Sequence, residues 1–322
     1  MIELLLDNKD GNMWDLSGIA SDISWKTTRV GRPGSLEFSI IRNGIYQAKD
    51  FKINTGDVIS FRYGGANVFF GYVFKISEGD GETVKLLCYD QIRYLQNSDT
   101  YSFTSATAAD ILWRVAGDFG LKLGRVDDTG YRIPTMLEDN QKLIDIVCKS
   151  LDLTLINGGQ SYFLFDDFGE LSLRKSEDFL LEFVVGDRSL MTGYGTERSI
   201  DSDTYNLIKL YRDNKKSGKR DTYITRDSAS MARWGVLQLS QSIDENMNDA
   251  QISDLLNSLI AVKNRETRTL KVDAIGDVRV RAGCYMPIVI SERGINQPFL
   301  VDSCAHRFDG GDHTMSLELK VI

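Results

Sequence analysis

Chemistry in a chain of 322 residues has to come from a few side-chain types, and two of the most versatile are scarce here. There are two histidines, His306 and His313, and four cysteines, Cys88, Cys148, Cys284 and Cys304. The histidines lie close to Asp302, Asp309 and Asp312, the one stretch where imidazole and carboxylate crowd together. Both are competent metal ligands, but Phe308-Asp309-Gly310-Gly311-Asp312 reads more simply as the polar turn of a hairpin. Ser303, Cys304 and His306 offer a nucleophile beside a base. Successive strand residues face opposite ways, so that spacing does not assemble a triad. Asp166-Asp167 and Glu138-Asp139 are carboxylate pairs of the kind glycoside hydrolysis uses. Side chains adjacent in sequence diverge, and a solvated turn at the first pair and a helix N-terminus at the second account for both. No catalytic, metal-binding or cofactor-binding residue is nominated, and the chain reads as no enzyme.

The remaining polar features are equally plain. The cysteines form no Cys-x-x-Cys pair and sit in apolar stretches, which points to buried free thiols folded in a reducing compartment. Lys215, Lys216, Lys219 and Arg220 surround Ser217-Gly218 between two strands. A phosphate-binding loop needs a glycine where Asp213 stands, so this is a basic hairpin tip. Its sharper use would be contact with an acidic neighbouring subunit or another acidic protein. Gly158-Gly159 sits in a turn and is no dinucleotide fingerprint. Trp14, Trp25, Trp113 and Trp234 are scattered and make no base-stacking row. Thirty-eight basic against forty-six acidic residues give a formal charge of −8, the wrong sign for stable nucleic-acid binding. An apolar fraction of 42% with four prolines is a globular composition rather than a disordered one. No run approaches the ~18 apolar residues of a membrane span, and the opening Met-Ile-Glu-Leu-Leu-Leu-Asp does not read as a secretory signal.

The elements that would carry these residues fall into three regions. Residues 1–100 hold short alternating runs punctuated by Gly, Asn and Asp, with strands expected at 2–6, 36–41, 58–63, 68–76 and 84–89. Residues 101–185 form a small α+β module. Ile111, Leu112, Val115, Ala116 and Phe119 make an amphipathic helix that Thr107 and Asp110 cap and Gly120 stops. A second helix is expected after Asp139, with Leu143, Ile146, Val147 and Leu151 on one face, followed by strands at 162–165 and 170–174. Residues 186–322 return to strands around one helix, which Asn248 caps and which carries Ile252, Leu255, Leu256, Leu259 and Ile260 on its core face. Alternation at 269–274 and 315–321 argues for a sheet packed on one side. The fold class is therefore α+β and β-rich.

Within it a weak repeat stands out. Gly56-Asp57-Val58-Ile59, then Phe69-Phe70-Gly71-Tyr72-Val73, then Lys85-Leu86-Leu87-Cys88-Tyr89 corresponds to Ala282-Gly283-Cys284-Tyr285, then Pro298-Phe299-Leu300-Val301-Asp302, then Met315-Ser316-Leu317-Glu318-Leu319. Each is a glycine turn, a strand, an aromatic return strand and a third alternating strand. The pattern implies two related antiparallel β-barrel-like units, 1–100 and 186–322, with the α+β module between them. Gly56, Asp57 and Gly71 in the first unit, and Gly283, Phe299 and Asp302 in the second, are the structural positions to watch.

These same segments resemble the hub proteins of contractile phage tails. Gly56-Asp57-Val58-Ile59, Phe70-Gly71-Tyr72-Val73 and the tail from Val280 to Leu317 carry the likeness, with Asp227-Ser228-Ala229-Ser230 through Arg233-Trp234-Gly235 as a short helix ending in an aromatic and a glycine. More narrowly the chain is similar to the hub of PBSX-like defective prophages and related contractile bacteriocins. The resemblance implies tube-type barrels and a homotrimeric ring at the baseplate of a virion or tail-like particle, assembled in the bacterial host cytoplasm. It also implies as partners the tail tube protein, a central spike, and baseplate wedge and tape-measure proteins. The competing readings are a cell-wall-degrading tail enzyme and a distal tail or receptor-binding module of a non-contractile phage.

Overall fold

The computed structural model describes every residue except 43, 45–47, 202, 215–218, 244–246 and 322. The chain divides into a larger unit, Met1–Gly195 with Lys271–Lys320, and a smaller one, Thr196–Leu270.

The larger unit opens with β1 (Ile2–Asp7), β2 (Met13–Asp15), β3 (Ala20–Thr28), β4 (Ser35–Ile41), β5 (Val58–Tyr63), β6 (Ala66–Glu78) and β7 (Thr83–Tyr89). Alternation decides what they bury. In β5, Ile59 and Phe61 are fully buried while Ser60 and Arg62 on the other face are not. They join Leu4, Leu36, Phe38, Leu86 and Cys88 in one core, where each such side chain contributes about 1.5–3 kcal/mol by leaving water.

A short 3-10 turn, Gln91–Gln96, leads into the module: β8 (Ser98–Ala106), α1 (Ala108–Asp118), β9 (Leu123–Val126), β10 (Ile133–Lys142), α2 (Leu143–Gly158), β11 (Tyr162–Asp166) and β12 (Leu171–Lys175). The α1 capping box forms as the sequence implies. Thr107 Oγ1 accepts from the Asp110 N–H and Asp110 accepts from the Thr107 N–H, and Gly120 follows with φ +63°. The second helix starts later than expected. Residues 133–142 continue as β10, paired with β8 across a bulge between Glu138 and Gln141, so Glu138 and Asp139 belong to a strand and not to a helix N-terminus.

After β13 (Val185–Gly186) and β14 (Met191–Ser199) the chain builds the smaller unit, then returns to the larger one. The smaller unit holds β15 (Leu207–Asn214), β16 (Lys219–Arg226), α3 (Ser228–Trp234), β17 (Gln238–Ser242) and α4 (Asp249–Lys263). Its sheet runs β16-β15-β17. Ile208, Leu210 and Ile252 are its buried centre, and Leu255, Leu256, Leu259 and Ile260 pack around them as the helical stripe requires.

The returning strands are β18 (Thr267–Ile275), β19 (Tyr285–Ile290), β20 (Ile295–Asp309) and β21 (Asp312–Val321). The repeat read from the sequence reappears in the backbone. Gly56 has φ +93° and Gly283 φ +92°. The Gly56 N–H donates to Val73 O (2.7 Å) and the Val73 N–H to Asp57 O (2.9 Å); the Gly283 N–H donates to Val301 O (2.9 Å) and the Val301 N–H to Cys284 O (3.0 Å). Val58 lies opposite Tyr72, as Tyr285 lies opposite Leu300. Even the bulges match, one between Val73 and Lys75 and the other between Val301 and Ser303.

The strand order makes the same point. It runs β14-β18-β21-β20 and continues directly into β3-β4-β7-β6, one four-strand plan used twice. The two β units share a sheet, because residues 303–308 of β20 pair antiparallel with residues 23–28 of β3. No local pattern could announce that seam, whose partners are some 275 residues apart in Ser303 and Thr28.

Candidate functional site

Two of the glycine positions leave no room for a side chain. At Gly71 a Cβ would overlap the Tyr89 carbonyl and the Phe69 ring, and at Gly283 it would enter the Phe163 ring while also facing the penalty of positive φ. Asp57 is buried and its Oδ2 accepts from the Asn54 N–H and from Asn8 Nδ2, both at 2.7 Å. Phe299 is buried at the β-register position that corresponds to Gly71. Asp302 accepts from Arg29 Nε (3.0 Å), and the Arg29 N–H donates to Asp302 O (2.9 Å), which fastens the end of β3 to β20.

The unexpected feature is a buried charged junction where the first β unit, the module and the second β unit meet. Asp90, just past β7, accepts from the Gly34 N–H (2.8 Å) and the Ile92 N–H (3.0 Å). Asp166, ending β11, accepts from the Gly169 N–H (2.6 Å) and the Gln91 N–H (3.3 Å). Gln91 donates through Nε2 to Gly169 O and accepts from the Lys122 N–H. Arg281, two residues before the Gly283 turn, donates through Nη2 to Asp166 O (3.0 Å) and lays its guanidinium 4.4 Å from the Phe165 ring centre. Its Nε is buried without a partner.

Asp166 is thus no solvated turn residue. The hairpin beyond it folds inward, with Phe168 at φ +53° against Phe70 at 5.7 Å, while Asp167 and Glu170 stay exposed. Burial pushes the Asp166 carboxyl up to about 6. Burial, reinforced by the charge of Asp166, pushes Asp90 up as well, and burial holds Arg281 below its usual range against the attraction of both carboxylates. Two carboxylates against one guanidinium make a site that favours taking a proton. Their oxygens are occupied by backbone N–H groups, so the junction ties segments together. The second pair also diverges: buried Glu138 is ion-paired with Lys149 of α2, and exposed Asp139 accepts from Thr100 Oγ1 (2.9 Å).

The histidines lie on the seam. His306 Nε2 is 2.8 Å from Val280 O, which places a proton on Nε2 and leaves Nδ1 to accept from His313 Nε2 at 2.9 Å. His306 also stacks on Trp25 of β3 at 4.9 Å. Burial lowers His306 to about 4, so it is a neutral imidazole of the packed core, and burial lowers half-buried His313 as well. Asp309 and Asp312 close the β20–β21 hairpin opposite each other. No group of three or more His, Cys, Asp or Glu among the described residues could hold a metal ion. Cys88, Cys284 and Cys304 are buried free thiols and Cys148 is half-buried. Of the basic tip, Lys215 and Lys216 lie outside the described residues. Arg220 is ion-paired with Asp213 (2.9 Å) and lies over the Tyr211 ring, and Lys219 is exposed on β16.

Asp90, Gln91 and Arg281 escaped the sequence reading. The available signal was weak: Arg281 is a charged residue inside the apolar stretch Val280–Cys284 region that also holds Ala282 and Gly283, and Asp90 directly follows an alternating strand.

With this geometry in view, the relatives are informative. The family model described as YqbQ-like matches residues 23–320. The chain belongs to the YqbQ-like family. It is 30% identical to the phage-like element PBSX protein XkdQ of Bacillus subtilis (strain 168), over 99% of this chain and 97% of that protein. Its fold is that of a 43 kDa tail protein of prophage MuSo2 from Shewanella oneidensis (TM-score 0.69, 16% identity, 98% of each chain) and of a tail protein from Neisseria meningitidis (TM-score 0.66, 12% identity, 99% of this chain and 96% of that one). Both of these solved structures are tail proteins, and the likeness to them is one of fold. No helix among the described residues is long and apolar enough to cross a membrane.

Proposed function

We propose that this YqbQ-like protein is the hub of a contractile-tail baseplate, a homotrimeric ring that adapts a sixfold tail tube to a threefold central spike. The carrying observation is the doubled strand order. Within one chain, β3 of the first unit fills the edge of β20 beside β19. The equivalent edge of β6 beside β5, at residues 75–78, has no such neighbour among the described strands, and neither has the outer edge of β14. Unpaired edges are templates for another chain. If β14 of one copy meets β6 of the next as β3 meets β20, three copies close into a ring of six β units. Six similar units suit a hexameric tube on one side, while three copies suit a trimeric spike on the other.

In this reading the three-part division of the chain becomes functional: barrels from 1–100 and 186–322 line the ring, and the 101–185 module braces them. Gly56, Asp57, Gly71, Gly283, Phe299 and Asp302 keep the two barrels alike enough to be interchangeable. The protein works by bearing force and matching symmetry, with no bond chemistry, at the tail tip of a virion or tail-like particle. Its partners are the tube, the spike, and wedge and tape-measure proteins. Light scattering on the purified chain tests it. Three copies of 36.2 kDa give a particle of about 109 kDa; a monomer or a twofold dimer at assembly concentrations would overturn the proposal.

A further inference from the structure

The smaller unit carries a sheet with one bare face. Strand geometry sends Ile208 and Leu210 of β15 toward α4, so the alternate residues Leu207, Lys209, Tyr211 and Asp213 point the other way. Register brings Arg226, Ile224, Thr222 and Arg220 of β16 beside them, and Gln238, Ser240 and Ser242 of β17 on the other flank. These β16 and β17 residues are exposed, Ile224 at 56%. Three cations therefore share the face with a single carboxylate, Asp213, which Arg220 already holds. Neither Lys209 nor Arg226 has an ion-pair partner among the described residues. Leu207, Tyr211 and Ile224 alternate with them on the same face.

The charge distribution says what this face would meet. Thr196–Leu270 holds 12 basic and 11 acidic residues, a net +1, which leaves 26 basic and 35 acidic residues, a net −9, in the rest of the chain. The cationic face belongs to the one part of the molecule that is not acidic, and the acidic complement is the molecule itself. We propose that the outer face of the β16–β15–β17 sheet docks on the acidic larger unit of a second copy, with Lys209 and Arg226 as the charged contacts and Ile224 as the apolar one. This rests on the ring reading and adds to it a second contact besides the strand edges. Seven residues of β15 by three strands cover only ~20 Å by ~14 Å, well under the roughly 800 Å² per partner of a standard interface. The face is therefore an auxiliary clamp whose three repeats reinforce the ring through avidity.

The full chain and a Lys209→Glu/Arg226→Glu variant are compared by sedimentation velocity from about 50 mM to about 500 mM NaCl, which spans strong to weak screening. Wild type should associate more tightly at low salt. The variant should associate about tenfold more weakly there and lose most of the salt dependence, and Ile224→Ser should weaken association at every salt concentration. Unchanged urea midpoints show that the variants fold. A wild type that stays monomeric throughout removes the ring and this clamp together. A trimeric wild type matched by equally tight variants with the same salt dependence removes the clamp alone. Variants that self-associate normally but fail to enter tails would assign the face to another tail component and overturn the proposal.

Discussion

Arg281→Met tests whether the buried junction holds the β units and the module together. The substitution keeps an unbranched apolar side chain over Phe165 but removes the only cation facing Asp90 and Asp166 in the junction described above. Breaking a buried charge network by removing one partner costs about 3–5 kcal/mol. The carboxylates can evade that cost by binding protons, so the loss must depend on pH. A carboxyl whose folded value is raised, like Asp166 from 3.8 to about 6, contributes stability that is full below its unfolded value and lost as pH rises through the folded one. That shift of about two units corresponds to about 3 kcal/mol at most. Without Arg281 the folded value climbs further, extending the loss to higher pH. Urea unfolding at pH 5 and pH 8, followed by tryptophan fluorescence, should show Arg281→Met near wild type at pH 5 and several kcal/mol weaker at pH 8. Asp166→Asn should flatten the pH dependence between those values. An equal penalty for Arg281→Met at both pH values, or none at either, would refute the coupling.

Other consequences follow from the same geometry. Gly283→Ala meets both positive φ and the Phe163 ring, whereas Gly56→Ala meets positive φ alone, with open space at its Cβ. Gly56→Ala should therefore cost about 1–2 kcal/mol and Gly283→Ala clearly more, read as paired shifts in thermal midpoint; equal shifts would contradict the packing argument. Cys148, whose thiol burial pushes up to about 11, should be the one cysteine that a disulfide reagent labels in the native chain, and slowly. Rapid native labelling of Cys88, Cys284 or Cys304, located by mass spectrometry, would contradict their burial. Thr107→Ala removes the α1 cap and should cost about 1 kcal/mol, with loss of helical signal confined to the melting region.

What the sequence disclosed was local. The β5 strand, the Thr107–Asp110 cap, the Asn248 cap and the final hairpin are written in periods of two or 3.6 and in turn chemistry, each decided within a dozen residues. The doubled glycine turn was legible for the same reason: positive φ selects glycine at 56 and 283 alike. What escaped was set by distance. β10 overruns the expected helix start because β8, some forty residues earlier, supplies its hydrogen bonds. β3 is mostly polar along its length, and its place on the seam depends on β20. Asp166 looks like any turn carboxylate until Gly34, Gln91, Gly169 and Arg281 converge around it and Asp90. The candidate site is made of such long-range meetings, which explains why single motifs suggested structure and no chemistry.

Cryo-electron microscopy of the purified protein, sorted for rotational symmetry without any imposed, tests the ring most directly. A ring of three chains gives threefold particles whose inner wall shows six similar barrels, with density running unbroken from residues 75–78 of one copy to β14 of its neighbour. Particles with one or two copies, or a threefold ring in which those two edges stay apart, would contradict it.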